Sequence, residues 1–427
     1  MHGSNAGWGT IRGIAALACA LAAAFGALAA APRVARASPQ ELFGFGARTP
    51  GLASMGVSFV DDYEAVYVNP AGLGRVRHRS LVLGVQLGGY ALELDGRPFA
   101  VEPVRATTIG ATLPLPFGGV MRDRLALALG FYTPTAVVIT GDLAFADVPR
   151  FLVLDRAQSA AIQIGLGVDL HGVVDGLRVG AAVSAIGAFA GSIVAGIDAT
   201  GRFGSVVETQ VLAAYAPVVG ASYDVGDFSF GFVWRGKIQA DYVFEIVTRD
   251  LPLTVPVLTV GGIAQYDPHT LAAEASWRPA EGSRLAVGLQ YALWSDYPGP
   301  LSQTSRSSDP PPAPEFTDTF GVRASFEQKL RRASNTWSLR GGYAFLPSPA
   351  PPATARRRYL DGDRHQLTLG LGLDVATGAG AHVFLDGYVS AILVPERVHD
   401  APQEGGAENM RTGGFAAVGG WAAGVRW

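Results

Sequence analysis

The sequence predicts an all-β protein, a 14-stranded antiparallel transmembrane β-barrel with an N-terminal hatch folded inside it. Three observations carry this. Apolar residues alternate with small or polar ones over segments of about ten residues, and such segments recur along the whole chain. The connections between them alternate between short and long. An apolar stretch without alternation, residues 38–79, precedes the first segment.

The composition agrees. The chain has 427 residues, of which 49% are apolar and only 16% charged, with 55 Gly, one Cys and a net charge of −3. A single Cys excludes a disulfide framework. Two lysines, Lys237 and Lys329, give no basic groove for nucleic acid. Residues 1–37 read as a secretory signal. Arg12 lies in a short leading region, Ile14–Ala31 is an apolar run, and Ala35-Arg36-Ala37 forms an Ala-x-Ala cleavage site. Cleavage after Ala37 removes Cys19 and three arginines, leaving a more acidic chain suited to an oxidising compartment.

Two later windows, Val179–Ile197 and Leu125–Gly141, are charge-free and long enough to suggest a spanning helix. Their glycines and Pro134 argue against one, and periodicity settles the matter. Ile162, Ile164, Leu166, Val168 and Leu170 share one parity; Gln163, Gly165, Gly167, Asp169 and His171 share the other. Leu367, Leu369, Leu371 and Leu373 alternate in the same way with Gln366, Thr368, Gly370 and Gly372. A period of two is a strand with one apolar face. Fourteen such segments are expected, near 80–93, 104–115, 122–133, 157–170, 176–189, 208–223, 227–239, 269–279, 284–295, 316–327, 336–346, 363–375, 381–393 and 413–427. Together they make residues 80–427 the barrel. An even number suits closure, because the bilayer core offers no water to an open edge. The long connections carry clusters of Pro and Ser, as in 302–314 and 347–352. Phe415, Ala417, Gly419, Trp421, Ala423, Val425 and Trp427 share one face of the last segment, and its aromatic end suits the membrane interface.

Residues 38–79 hold Asp61-Asp62-Tyr63-Glu64 and then Asn69-Pro70-Ala71-Gly72. Pro70 fixes one dihedral and biases Asn69 to an extended shape, and Asn can bond its own backbone, so a side-chain-locked tight turn is expected. The pattern Asp-x-x-x-Ala-x-x-x-Asn-Pro-Ala-Gly after a signal peptide resembles the FadL/TodX family of outer-membrane transporters for hydrophobic compounds. Trp294-Ser295-Asp296-Tyr297 and the stretch from Leu339-Arg340-Gly341-Gly342-Tyr343 to Asp361-Gly362-Asp363-Arg364 resemble two later family signatures. The resemblance implies a barrel closed by an N-terminal hatch with Asn69, Pro70, Ala71 and Gly72 as its motif. It implies uptake of a hydrophobic small molecule, long-chain fatty acids by default; since the sequence has no nucleotide-binding motif, the mechanism is expected to be passive, with no cofactor. It further implies a bacterial outer-membrane setting of lipid and lipopolysaccharide, assembly by the barrel-insertion machinery, and a monomer. Sideways exit at a kink in the third strand is also implied, for which Gly130 and Pro134 are the candidates.

No hydrolase, metalloprotease or nucleotide-binding motif is present, so no catalytic or metal-binding residue is assigned. A barrel enzyme would need Ser, His and an acid meeting on one rim; Asp363 with Arg364 reads instead as a rim ion pair. Charges on the inward parity, among them Glu274, Glu327, Arg323, Arg340 and Asp374, should face the lumen, because Arg or Lys on the lipid face at mid-membrane costs about 2–4 kcal/mol. Two apolar stretches in long connections, 193–197 and 251–264, nominate Ile193, Val194, Val255, Val257 and Leu258 as an outer groove for hydrophobic solutes. The main alternative is a general diffusion porin, which would have a polar constriction and no apolar hatch.

Overall fold

A computed structural model of the chain describes residues 39–427 except 102, 120–121, 136–148, 152–159, 198–202, 250–257, 300, 305–312, 355–356, 378–379 and 403–408. The signal segment therefore lies outside the described residues. Fourteen antiparallel strands build the wall. They are β1 (Ser80–Leu94), β2 (Val104–Pro114), β3 (Leu125–Pro134), β4 (Ala161–Asp169), β5 (Leu177–Ile197), β6 (Phe203–Val225) and β7 (Phe228–Arg235), then β8 (Thr270–Trp277), β9 (Ser283–Ala292), β10 (Thr319–Arg332), β11 (Asn335–Leu346), β12 (Arg364–Ala376), β13 (His382–Pro402) and β14 (Asn409–Arg426). Each pairs with the next, and β1 pairs with β14 from Ser80↔Arg426 to Leu94↔Thr412, so the sheet has no open edge at the seam. Trp427 and Arg79 extend the seam by donating backbone N–H bonds to each other's carbonyls at 3.0 and 3.1 Å.

The alternation sorts each strand into two faces. Leu81, Leu83, Ile162, Ile164, Leu367 and Leu369 point outward and are exposed, whereas Gln86, Gln163, Gln366 and Thr368 point inward and are buried. An outward apolar belt around a closed sheet is how strands cross a bilayer. Aromatic side chains flank it: Phe228 and Trp277 stack at 6.3 Å at the short-turn rim, where exposed Trp427 also lies, and exposed Tyr291 and Phe320 mark the opposite rim.

The expected strands are all present, with shifted ends. β5 and β6 run for 21 and 23 residues, and β13 for 21. A tilted strand crosses the bilayer in about 9–11 residues, so these project beyond it. Their outer parts carry a second layer of pairing. Ile238–Arg249 lies parallel to β5, from Tyr242↔Phe189 to Arg249↔Gly196. Leu258–Asp267 pairs antiparallel with Ile238–Arg249, and Leu301–Thr304 pairs with Leu258–Asp267. This corrects the reading of 193–197 and of the end of 251–264 as loops: both are strand. Runs rich in Val and Ile pair readily wherever an edge is offered, and here the overhanging edge of β5 offers one.

Residues 39–76 sit inside the barrel, and 77–79 lead out at the short-turn rim to β1. They form the helices α1 (Pro39–Phe43) and α2 (Ala65–Val68) and two 3-10 turns, Pro50–Leu52 and Pro70–Arg75. Phe45, Leu52, Ala65 and Leu73 are fully buried against the wall. The wall makes room with glycine. A methyl group at Gly220 would land on the Asn69 amide, and one at Gly180 on the Pro70 carbonyl.

Leu369 is 65% exposed at mid-strand. Leu369→Arg is expected to cost the folded barrel about 2–4 kcal/mol, seen as a lower urea midpoint for the heat-modifiable form in lipid vesicles. An unchanged midpoint would take Leu369 off the lipid face.

Candidate functional site

The N-terminal segment is held by groups that its own turns cannot satisfy. Buried backbone N–H and C=O groups need partners, and an irregular chain inside a barrel must find them on the wall or in its own side chains. Glu274 on β8 supplies the largest set. Its carboxylate accepts from the N–H groups of Gly56 (2.9 Å), Val57 (3.0 Å) and Ser58 (3.1 Å) and from the Ser58 hydroxyl (2.6 Å). Three successive N–H groups around one carboxylate form an anion nest. Thr368 on β12 accepts from Ala53 N at 3.0 Å and donates to Gly51 O at 3.2 Å. Arg323 on β10 donates to Ala53 O at 3.1 Å and to Gln290 at 2.7 Å.

The Asn69-Pro70-Ala71-Gly72 turn has the geometry its residues dictate. Asn69 is extended at φ −158°, Pro70 opens the 3-10 turn, and the Asn69 Oδ1 accepts from Ala71 N at 3.0 Å. The Asn69 Nδ2 donates to Val57 O at 2.6 Å and reaches the wall at Ala221 O (3.2 Å). Asn69 thus ties its own turn, the 56–58 nest and β6 together. Gly72 lies against Val60, with no space for a side chain.

An acidic knot completes the fastening. Glu64, fully buried, accepts from the N–H groups of Ala47, Arg48 and Thr49 and from the Thr49 hydroxyl. Burial pushes its carboxyl up to about 7, with the Asp62 charge adding to the shift and these donors opposing it. Arg48 donates to Asp61, Asp62 and Glu327. Burial opposes its charge, but Glu327, Asp61 and Asp62 more than compensate and raise it above its ordinary value. Arg340 joins Glu327 (2.9 Å) to Asp386, so the network runs from the N-terminal segment through β10 and β11 to β13.

Two spaces flank this seal. Toward the short-turn rim lies a cavity of about 390 Å³ whose lining is ionic, including Arg48, Asp61, Arg75, Arg340, Asp374 and Asp386. Toward the long-connection rim lies one of about 110 Å³, lined by Phe45, Met55, Val57, Ile186 and Ile238 with Glu274 in its wall. Above it, Tyr266, Trp294, Tyr297 and Phe316 pack at ring separations of 5.0–6.4 Å and help close the mouth.

The residues singled out from sequence divide accordingly. Arg323 and Arg340 face the lumen, the first on the N-terminal segment and the second in the ionic network. Asp374 lies at the short-turn rim, bound to His382 and Arg426 at 2.6 Å each. The ladder passes through Gly130 in register with both neighbours, Gly110 and Gln163, and a methyl there would meet the Phe45 ring at 2.9 Å. Pro134 ends β3 opposite Ala106. Ile193 and Leu258 both stand opposite Ile246, and Val194 opposite Val247, in the outer sheet; Val255 and Val257 lie outside the described residues. Asp363 and Arg364 do not form the expected ion pair. Asp363 instead accepts from Ser348 N at 2.8 Å, because the turn after Pro347 offers an unfilled backbone donor. Sequence reading marked Glu274 only as an inward charge and gave Glu64 no role. The signal for Glu64 was there, an acid inside a segment otherwise too apolar to leave it in water. Among the described residues, no group of three His, Cys, Asp or Glu side chains could hold a metal ion.

Fold and lumen together define the class, a transmembrane β-barrel closed from within by its own N-terminal segment. Solved structures share this fold. A FadL homologue of Pseudomonas aeruginosa aligns over 90% of this chain and 97% of its own, at TM-score 0.59 and 15% identity. The toluene transporter TodX of P. putida aligns over 90% and 98% at TM-score 0.54 and 13% identity, and the toluene transporter TbuX of Ralstonia pickettii over 89% and 98% at 0.52 and 15%. At such identities the likeness shows the fold. No protein-family model matches the sequence, and no curated protein matches it by sequence.

Leaving a buried N–H group without its acceptor costs about 1–3 kcal/mol, and Glu274 serves three of them. Glu274→Ala is therefore expected to loosen the N-terminal segment in a barrel that still folds, raising small-ion conductance in planar bilayers well above wild type. Conductance at the wild-type level in a heat-modifiable Glu274→Ala barrel would show that the nest does not hold the seal.

Proposed function

We propose that this chain is an outer-membrane transporter of the FadL/TodX kind, carrying hydrophobic small molecules passively inward, with long-chain fatty acids as the default cargo. Residues 38–79 are its hatch, and Asn69, Pro70, Ala71 and Gly72 are the turn that keeps it seated. The observation that carries this reading is the filled lumen. A general porin needs an open polar path, whereas here an apolar segment blocks the barrel and leaves a partly apolar cavity on the long-connection side. The fold neighbours include two toluene transporters, which fits cargo of this kind.

Cargo arriving at the outer sheet and the aromatic cluster descends to the upper cavity. The ionic space below the seal is a poor route for it, since burying charged groups against apolar cargo is costly. Exit is sideways through the wall beside β3. That strand ends at Pro134, which stands opposite Ala106 and has no N–H for the ladder. The protein works as a monomer among outer-membrane lipid and lipopolysaccharide, delivered by its signal peptide and the barrel-insertion machinery.

The test is uptake of labelled oleate and of a labelled aromatic hydrocarbon by cells carrying the barrel, with a small sugar as control. Hydrophobic uptake without sugar leakage is expected, and the preferred probe names the cargo class. Sugar leakage without hydrophobic preference would make the protein a porin. In the same assay Asn69→Ala, which frees Val57 O and the turn, is expected to change oleate uptake in a folded barrel; unchanged uptake would remove Asn69 from the hatch mechanism.

A further inference from the structure

Arg364 begins β12 at the long-connection rim, opposite Leu346 in the ladder. It is only 6% exposed, and its Nε is buried without a hydrogen-bond partner. Among the described residues it forms no ion pair. The acids beside it are engaged elsewhere, Asp363 with Ser348 N and Asp361 with the Ser348 hydroxyl at 3.0 Å. A guanidinium cannot shed its charge in a protein, so burial leaves it a standing demand for an anion. Each buried group left unsatisfied calls for an explanation.

The surroundings suggest one. Arg364 lines a cavity of about 30 Å³ together with Leu42, Trp294, Leu346 and Arg323, and no acidic residue is in the lining. One water needs about 10–15 Å³ of such space, so the cavity has room for a small head group. Gln290 and Arg323 line both this cavity and the upper cavity of about 110 Å³, so the two adjoin. Two other lumen arginines bind groups of the protein itself. Arg235 donates to Tyr67 O and lies 4.2 Å over the Tyr67 ring, and Arg340 binds Glu327 and Asp386.

We propose that Arg364 is the anion-binding end of the lumen site. The carboxylate of an amphiphile pairs with its guanidinium, and the chain passes Gln290 and Arg323 into the upper cavity. The planar fork of Arg suits a carboxylate, which can accept two parallel N–H bonds. The inference rests on the transport reading and sharpens it: Arg364 is the residue that separates a carboxylate-bearing cargo from a neutral hydrocarbon of the same length.

The experiment measures equilibrium binding of laurate and of methyl laurate to the purified full-length barrel, wild type, Arg364→Gln and Arg364→Lys. Charge-assisted pairing predicts that Arg364→Gln weakens laurate by about tenfold or more and methyl laurate by less than about twofold, with Arg364→Lys between. Equal loss for both ligands, or no loss for either, would overturn the assignment. Failure of the wild type to bind either ligand would sink the transport reading itself, a result distinct from a lost preference. Should Arg364→Gln not fold, phenylglyoxal modification of the wild-type barrel serves instead. Laurate is expected to protect Arg364 and methyl laurate not to; equal protection would overturn the proposal.

Discussion

Everything in this molecule depends on closing one hydrogen-bonded ladder in a medium without water. A strand edge left open in hydrocarbon has no alternative partner for its N–H and C=O groups, so β1 must meet β14 along its whole length. Closure then fixes the rest. It sets an inside and an outside for every residue, because side chains alternate by position. It makes the outer face apolar, and it leaves a lumen that fourteen strands hold too wide for small wall side chains to fill. The chain's own first residues fill it.

Filling a lumen with irregular backbone raises a second demand, since each peptide group brought in loses its water. The wall answers with side chains rather than with more ladder. Glu274 takes three N–H groups, Thr368 takes one and returns a hydroxyl, and Arg323 takes a carbonyl. Close approach depends on glycine at inward positions such as Gly110, Gly180 and Gly220, where any side chain would occupy the space of Tyr63, Pro70 or Asn69. An inward glycine that looks from sequence like a weakened strand is therefore a clearance for the inserted segment. Gly130, set against Phe45 and Val66 in an unshifted ladder, is of this kind.

How much could be read beforehand follows from the same physics. The strands were legible because alternation is a local pattern imposed by a two-faced wall; Leu367 to Leu373 state it without ambiguity. The Asn69 turn was legible because its lock spans two residues. The outer sheet was not, since Ile238–Arg249 pairs with β5 across some fifty residues of sequence, and its own alternation of Ile238, Ala240, Tyr242, Phe244 and Ile246 does not name that partner. Arg364 was misread for a related reason. Adjacency in sequence suggested Asp363, but successive residues in a strand face opposite ways, so an acid and a base side by side are poor partners.

The fastenings are unequal on the two sides of the inserted segment, and that asymmetry has a mechanical meaning. Toward the short-turn rim, Arg48, Glu327, Arg340 and Asp386 form a chain of charge-assisted bonds across β10, β11 and β13. Toward the other rim, apolar contacts of Phe45, Val57 and Met55 line the cavity, and Glu274, Arg323 and Arg235 bind the segment as separate charged side chains and not as a linked network. Dispersion contacts are individually small and can be exchanged for contacts with another apolar molecule, whereas a buried ion network loses several kcal/mol when one member moves. An apolar molecule arriving from the long-connection side therefore meets the exchangeable face first. The 56–58 nest, which joins that face to Asn69 and the wall, is the part of the seal such a molecule can disturb while the ionic knot stays closed.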